Sequence, residues 1–272
     1  MSRFLVTGAT GFIGSAIVRR LESDGHKVLA RRIDLLAATD GELSRFVEEG
    51  DATHCIHAAW YTNHADYLVH EVNRDWTDAS CRLATAFPGR LVVLGTCLEY
   101  DFANVTAPLS EHAPLDPQTL YACCKLELFE SLAASSLDFA WARVFFVYGP
   151  GDRSGRLIPN MLALLDKGEG AGPDNGGVRR DYIHVDDLAG QLVRVALSDV
   201  RGPINTGSGV APTLSEIYAA GAEAFGRPEL ARANTETGGQ PPLIQADLAR
   251  FRREIGDPEA RDIATGLKDL IG

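Results

Sequence analysis

Tyr121 and Lys125 stand four residues apart in the stretch "YACCK". On a helix, side chains at that spacing share one face. A phenol has a pKa of about 10 and exchanges protons poorly near neutrality, but a neighbouring ammonium favours its ionised form. The two residues could therefore work together as an acid–base pair. On spacing alone they could equally be an ordinary surface pair. Cys123 and Cys124 lie between them, and adjacent helix residues diverge by about 100°. They cannot easily share one metal ion or one disulfide. The five cysteines, Cys55, Cys81, Cys97, Cys123 and Cys124, show neither C-x-x-C nor zinc-ligand spacing. No metal is expected, and the adjacent pair reads as space-filling helix residues.

A second group with chemistry in it is Gly8, Gly11 and Gly14, a G-x-x-G-x-x-G run directly after the apolar segment "RFLVT". Glycines at a strand-to-helix turn let the backbone come close to a pyrophosphate, and the helix N-terminus offers it free N–H groups. A tight turn without ligand is the alternative. A third is Thr96, at the end of the apolar run "RLVVLGT". In an open parallel sheet, ligands sit outside the carboxyl ends of the strands, so this hydroxyl can reach the same cleft as Tyr121.

The elements that must position these groups follow from hydrophobic periodicity. Strands are predicted at 3–7, 26–30, 54–60, 90–96 and within 138–149. Helices are predicted over the glycine turn to Gly25, at 40–50, at 65–87 and at 119–135. Alternation of strand and helix implies a parallel sheet with helices on both faces. The second strand is followed at once by "RRIDLL" (31–36), with no room for a full crossover helix to a third strand beside it. That edge of the sheet is expected to be short or irregular. After Gly149 the pattern loosens into glycine and proline punctuation.

The 272 residues and 45% hydrophobic content allow a substantial core. A net charge of −11, spread along the chain, argues against nucleic acid and against a polybasic membrane anchor. No apolar run is long enough to span a bilayer, and the N-terminus reads as folded structure rather than a signal peptide. A cytoplasmic protein is expected.

Taken in order, "TGATGFIG", "GTCLEY", "YACCK", "VFFVYGPG", "RRDYIHVDDLA" and "NTGSG" resemble the extended short-chain dehydrogenase/reductase family, the nucleotide-sugar epimerase, dehydratase and ketoreductase group. The resemblance implies an α/β fold: a Rossmann-type doubly wound parallel sheet over residues 1–149, rejoined by 179–206, with a smaller C-terminal substrate-binding lobe mainly in 150–272. It implies that Tyr121 exchanges a proton with the substrate oxygen. Lys125 would bind the nicotinamide ribose and lower the Tyr121 pKa, and Thr96 would hydrogen-bond the same oxygen. Gly8, Thr10, Gly11, Phe12 and Ile13, with Gly14, would hold the dinucleotide. Asp34 and Leu35 would lie near the adenine, and His57, Ala58 and Ala59 would line the cofactor. Asn73 would support the site. For His57 and Asn73, a packed histidine and a surface amide are equally good readings. Arg180 would approach the substrate phosphates, the Asp186–Asp187 stretch would cap a helix, and a homodimer built on 65–87 and 119–135 is expected.

The sequence also departs from the family pattern. Dehydratases of the family carry an Asp–Glu pair after the catalytic threonine, and here Cys97 and Leu98 stand there, with Glu99 one place late. Cys97 is read as a packing or substrate-contact residue. Phe146 occupies a position that is often Asn in 4-epimerases. Ala30, Arg31 and Arg32 stand where an acid would bind the ribose of NAD, and guanidinium groups suit a 2′-phosphate. NADP is therefore the expected cofactor, with NAD possible, unless the two arginines are simply solvated. Trp60 and Tyr61 resemble the 4-keto-6-deoxy-sugar reductase branch. The expected activity is reduction of a keto group on a nucleotide-activated deoxysugar. A 4-epimerase with tightly held NAD, or a non-catalytic dinucleotide sensor, are the alternatives.

Overall fold

The computed structural model describes residues 1–29, 32–152 and 155–271. Six parallel strands form the central sheet: β1 Arg3–Thr7, β2 Lys27–Leu29, β3 His54–His57, β4 Arg90–Thr96, β5 Phe139–Val144 and, later in the chain, Gly202–Thr206. Three shorter strands intervene before that last one, which is therefore β9. They are β6 Phe146–Tyr148, β7 Arg179–Arg180 and β8 Tyr182–His184, and β10 Leu243–Ile244 follows. The sheet order is β2-β1-β3-β4-β5-β9. The chain leaves β1 in opposite directions towards β2 and β3, so the switch point lies between β1 and β3, where a parallel sheet opens a crevice for ligands.

Helices cover both faces. On one side α1 (Phe12–Ser23) joins α6 (Val185–Leu197), where Ile17, Leu21, Leu188 and Leu192 pack on Phe4, Ile56 and Val92 of the sheet. On the other lie α2 (Asp40–Gly50), α3 (Val72–Ala86) and α4 (Leu120–Ala133), with Leu43, Phe46, Leu83, Leu128 and Leu132 on Leu5, Val93 and Trp141. A third apolar cluster gathers α5 (Leu157–Asp166), α7 (Leu214–Ala224) and Tyr148, with Leu267 from the C-terminal segment. β6 pairs with β8 and β7 with β10, which draws this cluster back onto the sheet. No helix of the described residues is long and apolar enough to cross a membrane.

The short edge is as the sequence implies. β2 has three residues, and α2 crosses from it to β3 on the far side of β1. Thr39 starts α2 with a capping box, its hydroxyl accepting from the Glu42 N–H while Glu42 accepts from the Thr39 N–H.

Three expectations differ. The helix predicted at 65–87 begins only at Val72, because the carbonyls just before it are engaged elsewhere. Asn73 Nδ2 donates to Tyr67 O and His70 O, and the Tyr121 N–H donates to Leu68 O. The strand predicted at 54–60 ends at His57, where Ala58 and Ala59 turn to bond Thr7. Asp186 and Asp187 do not cap α6. His184 does, accepting from the Asp186 N–H, while Asp187 pairs with Arg261 at 2.8 Å.

Candidate active site

The glycine turn closes β1 onto α1. Gly8 has φ +68°, and a Cβ there would stand 2.8 Å from the Ala59 nitrogen. A Cβ on Gly14 would meet Gly8 O at 2.0 Å. The turn therefore exists only with glycine at both places. Gly11 begins α1 with no side-chain cap, and no acid sits in the first turn. The first N–H groups of α1 are left for an anion, as a pyrophosphate requires. Beside the turn is a cavity of about 230 Å³ lined by Gly8, Thr10, Arg32, Asp34, Leu35, Ala59 and Trp76. This backbone cradle with its apolar slot fits the adenosine end of a dinucleotide. Asp34 Oδ1 accepts from the Leu36 and Ala37 N–H groups, at 3.1 and 3.3 Å, so one of its oxygens shapes the loop. Arg31 and Ala30 lie outside the described residues.

Across the switch point a cavity of about 350 Å³ takes in Thr96, Tyr121 and Lys125. Ile13, Ala58, Trp60, Cys97 and Phe146 also line it. Thr96 ends β4, and its Oγ1 accepts from the Leu98 N–H at 3.2 Å. That leaves the Thr96 hydroxyl proton to donate. Tyr121 sits in the first turn of α4, with Thr119 as its cap. Burial pushes the Tyr121 phenol well above its usual range, against a hydrogen bond with Thr96 that pulls it down. Lys125 is buried, and its Nζ donates to Leu94 O at 2.8 Å and lies 3.5 Å from the centre of the Trp60 ring. Burial brings its pKa down to about 7. The ammonium is 5.9 Å from the centre of the Tyr121 ring.

Two expected site residues, His57 and Arg180, line neither cavity. His57 is 2% exposed, with Nδ1 2.6 Å from Thr7 Oγ1 and Nε2 2.8 Å from Ser80 Oγ, and burial lowers its pKa to about 3. It is a neutral strut between β1, β3 and α3. Arg180 donates to Pro241 O at 2.8 Å and to Gln240 Oε1 at 3.1 Å, holding the loop before β10. The Phe12 side chain is partly buried against the sheet-side core, while its backbone begins α1 at the glycine turn. Asn73 is wholly buried, and besides its loop contacts its Oδ1 accepts from the Trp60 indole N–H at 2.8 Å. Glu99 turns away from the cavity, as its late position implies. Its carboxylate meets Arg143 Nε at 2.8 Å in the core and also accepts from the Trp141 indole.

The larger cavity contains groups that sequence reasoning missed. Tyr67 stacks edge-on against Tyr121, with ring centres 5.2 Å apart. Arg156 and Asp152 line the same cavity, their side chains 3.6 Å apart. Tyr67 lay within a predicted helix and Arg156 in a glycine-rich stretch, so neither carried a positional signal.

The model of the NAD dependent epimerase/dehydratase family matches residues 4–207. The chain is 27% identical to the dTDP-6-deoxy-L-talose 4-dehydrogenase (NAD(P)(+)) of Kitasatospora kifunensis, over 99% of this chain and 94% of that one. It is 28% identical to the dTDP-4-dehydro-6-deoxy-D-allose reductase of Streptomyces bikiniensis, over 97% and 94%. Among solved structures, a UDP-N-acetylglucosamine 4-epimerase from Methanobrevibacter ruminantium M1 superposes with a TM-score of 0.84 at 21% identity, over 99% and 97% of the two chains. With the glycine cradle at one end of the crevice and Thr96, Tyr121 and Lys125 at the other, the chain belongs to the NAD dependent epimerase/dehydratase family, enzymes of the extended short-chain dehydrogenase/reductase type that work with a nicotinamide dinucleotide.

Proposed function

We propose that the protein reduces a keto group on a nucleotide-activated 4-keto-6-deoxy sugar, with NADPH as the preferred reductant. The observation that carries the reading is the convergence of Thr96, Tyr121 and Lys125 on one cavity whose wall at Phe146 is apolar. When bound, the reduced nicotinamide supplies the hydride. Tyr121, held protonated by its burial, gives its proton to the carbonyl oxygen as that oxygen gains charge. Thr96 donates to the same oxygen, and Lys125 orients the nicotinamide ribose. Tyr121 is then reprotonated from solvent.

Two further features favour reduction over elimination. Cys97, at a position where a dehydratase has a carboxylate, is 2% exposed and held as a neutral thiol by burial. Glu99 is committed to Arg143. Arg156 gives the cavity wall a cation for an anionic part of the substrate, and Arg32 beside the smaller cavity supports the 2′-phosphate.

The test is stoichiometry. Purified protein given a nucleotide-linked 4-keto-6-deoxyhexose is expected to consume one reduced nicotinamide per sugar converted, faster with NADPH than with NADH, followed by nicotinamide absorbance. Interconversion of two sugar epimers without added cofactor, and with no net absorbance change, would instead assign a 4-epimerase.

A further inference from the structure

Lys125 is 3% exposed, and an ammonium that is so buried must find partners or lose its proton. Its one hydrogen bond to protein among the described residues goes to Leu94 O at 2.8 Å. The titratable groups that face it are few. Glu99, across β4, is taken up by Arg143 and the Trp141 indole. His57, on β3, is neutral and hydrogen-bonded at both nitrogens. Tyr121, one turn earlier on α4, keeps its proton. What lies against the charge is the Trp60 ring, 3.5 Å from Nζ to the ring centre, within the range of a desolvated cation–π contact.

Trp60 is itself fixed from behind. Its indole N–H donates to Asn73 Oδ1 at 2.8 Å, and Asn73 is wholly buried with both its amide hydrogens engaged on Tyr67 O and His70 O. Trp76 packs beside it with ring centres 6.1 Å apart. The ring cannot swing away without breaking its hydrogen bond to the buried Asn73.

We infer that Trp60 is a positioning residue whose ring, clamped by Asn73, seats the Lys125 ammonium and sustains its charge. The consequence for the reaction proposed above is a pH limit. Lys125 acts as a cation, so activity falls as pH rises through its pKa. The aromatic face opposes the loss of charge that burial promotes, and removing it moves that limit to lower pH by about one unit.

The test has an arm independent of turnover. The chain has four lysines, Lys27, Lys125, Lys167 and Lys268. With ¹³C-labelled lysine, the Lys125 ε-methylene proton signal, assigned by its loss in Lys125→Arg, is expected to be ring-current shifted upfield of the other three. It is expected to titrate near neutrality in the unmodified protein. In Trp60→Leu the upfield shift disappears, and the titration midpoint falls by about one unit. Trp60→Phe, with a weaker ring, gives a smaller fall. The alkaline limb of kcat/KM moves with these midpoints. An unshifted ε-methylene signal in the unmodified protein overturns the inference whatever the activity, and so does an alkaline limb that stays in place when Trp60→Leu lowers kcat/KM at every pH. Should Trp60→Leu not fold, the unmodified protein and Trp60→Phe carry the same test. Spectra as expected in a protein that reduces no keto sugar would leave the seat standing and sink the proposed reaction.

Discussion

Tyr121 and His57 show how burial assigns opposite duties to two titratable side chains. Tyr121 is pushed up, so it holds a proton to give. Tyr121→Phe keeps the ring against Tyr67 and Trp60 but removes that proton. Turnover is expected to fall at least about 10²-fold, with dinucleotide affinity nearly unchanged. A variant that turns over at near-normal rate removes Tyr121 from the mechanism. His57 is pushed down to about 3. In the unfolded chain its pKa returns to about 6.5, so between those values the unfolded state binds the proton and the folded state does not. Stability is therefore complete above pH 6.5 and is lost as the pH falls. Through that window His57 alone should cost about 1.4 kcal/mol per pH unit. Urea unfolding from pH 7 to pH 4 checks it: His57→Gln should show a flatter decline than the parent, and parallel declines would exclude the linkage.

At the level of elements, the site depends on two turns and a loop. The glycine turn brings the start of α1 against Ala58 and Ala59, and it fails if a methyl group enters. In Gly14→Ala the new Cβ meets Gly8 O, which is backbone and cannot swing aside. We expect a stability loss of about 1–3 kcal/mol by thermal or urea unfolding, with dinucleotide binding weakened at least tenfold. Full affinity in a stable Gly14→Ala protein would falsify the cradle. The second turn, Cys97–Glu99, follows Thr96 and is closed by Glu99 accepting from the Thr96 N–H at 2.8 Å. The same carboxylate thus fixes Thr96 and pairs with Arg143. The loop is 61–71, held by Asn73 and by the Tyr121 N–H to Leu68 O, and it carries Tyr67 to the face of Tyr121. An amphipathic pattern ran through this stretch, and tertiary hydrogen bonds overrode it.

For the molecule as a whole, buried polar groups tie the sheet to the C-terminal segment. Arg143 joins Glu99 to Tyr100, and Tyr100 donates to Asn205 on β9. Asp181, fully buried between β7 and β8, accepts from the Ser208 N–H and hydroxyl at 2.7 and 2.6 Å. It also accepts from the Gly209 and Ala246 N–H groups at 3.0 and 3.1 Å. This one carboxylate joins the loop after β9 to the segment after β10. Asp181→Ala leaves those donors without an acceptor, and a loss of about 3 kcal/mol or more is expected in urea unfolding. A loss under about 1 kcal/mol would show that the joint contributes little.

The sequence by itself determined the sheet-and-helix order, the glycine turn and the shared helix face of Tyr121 and Lys125, because each rests on a local rule, whereas grouping Thr96 with them as a catalytic set rested on the resemblance to a family. Period-2 and period-3.6 patterning, the backbone freedom of glycine, and the i, i+4 geometry of a helix all act over a few residues. The short edge was readable for the same reason, since a chain of that length cannot hold a full crossover. Tertiary structure decided which polar side chains face the cleft. His57 and Arg180 looked like site residues and became struts, because each found acceptors or donors on distant segments at a lower cost than facing the cavity. Arg156 entered the cavity from a stretch with no periodic signal, and Tyr67 from one whose helical pattern the tertiary structure overrode. Trp60 lies against Lys125 because Asn73, 13 residues on, holds its indole, and no spacing rule links those three residues. Side-chain direction at a cleft is set by the competition for buried hydrogen-bond partners across the whole fold, and that competition is settled only when all the partners are in place.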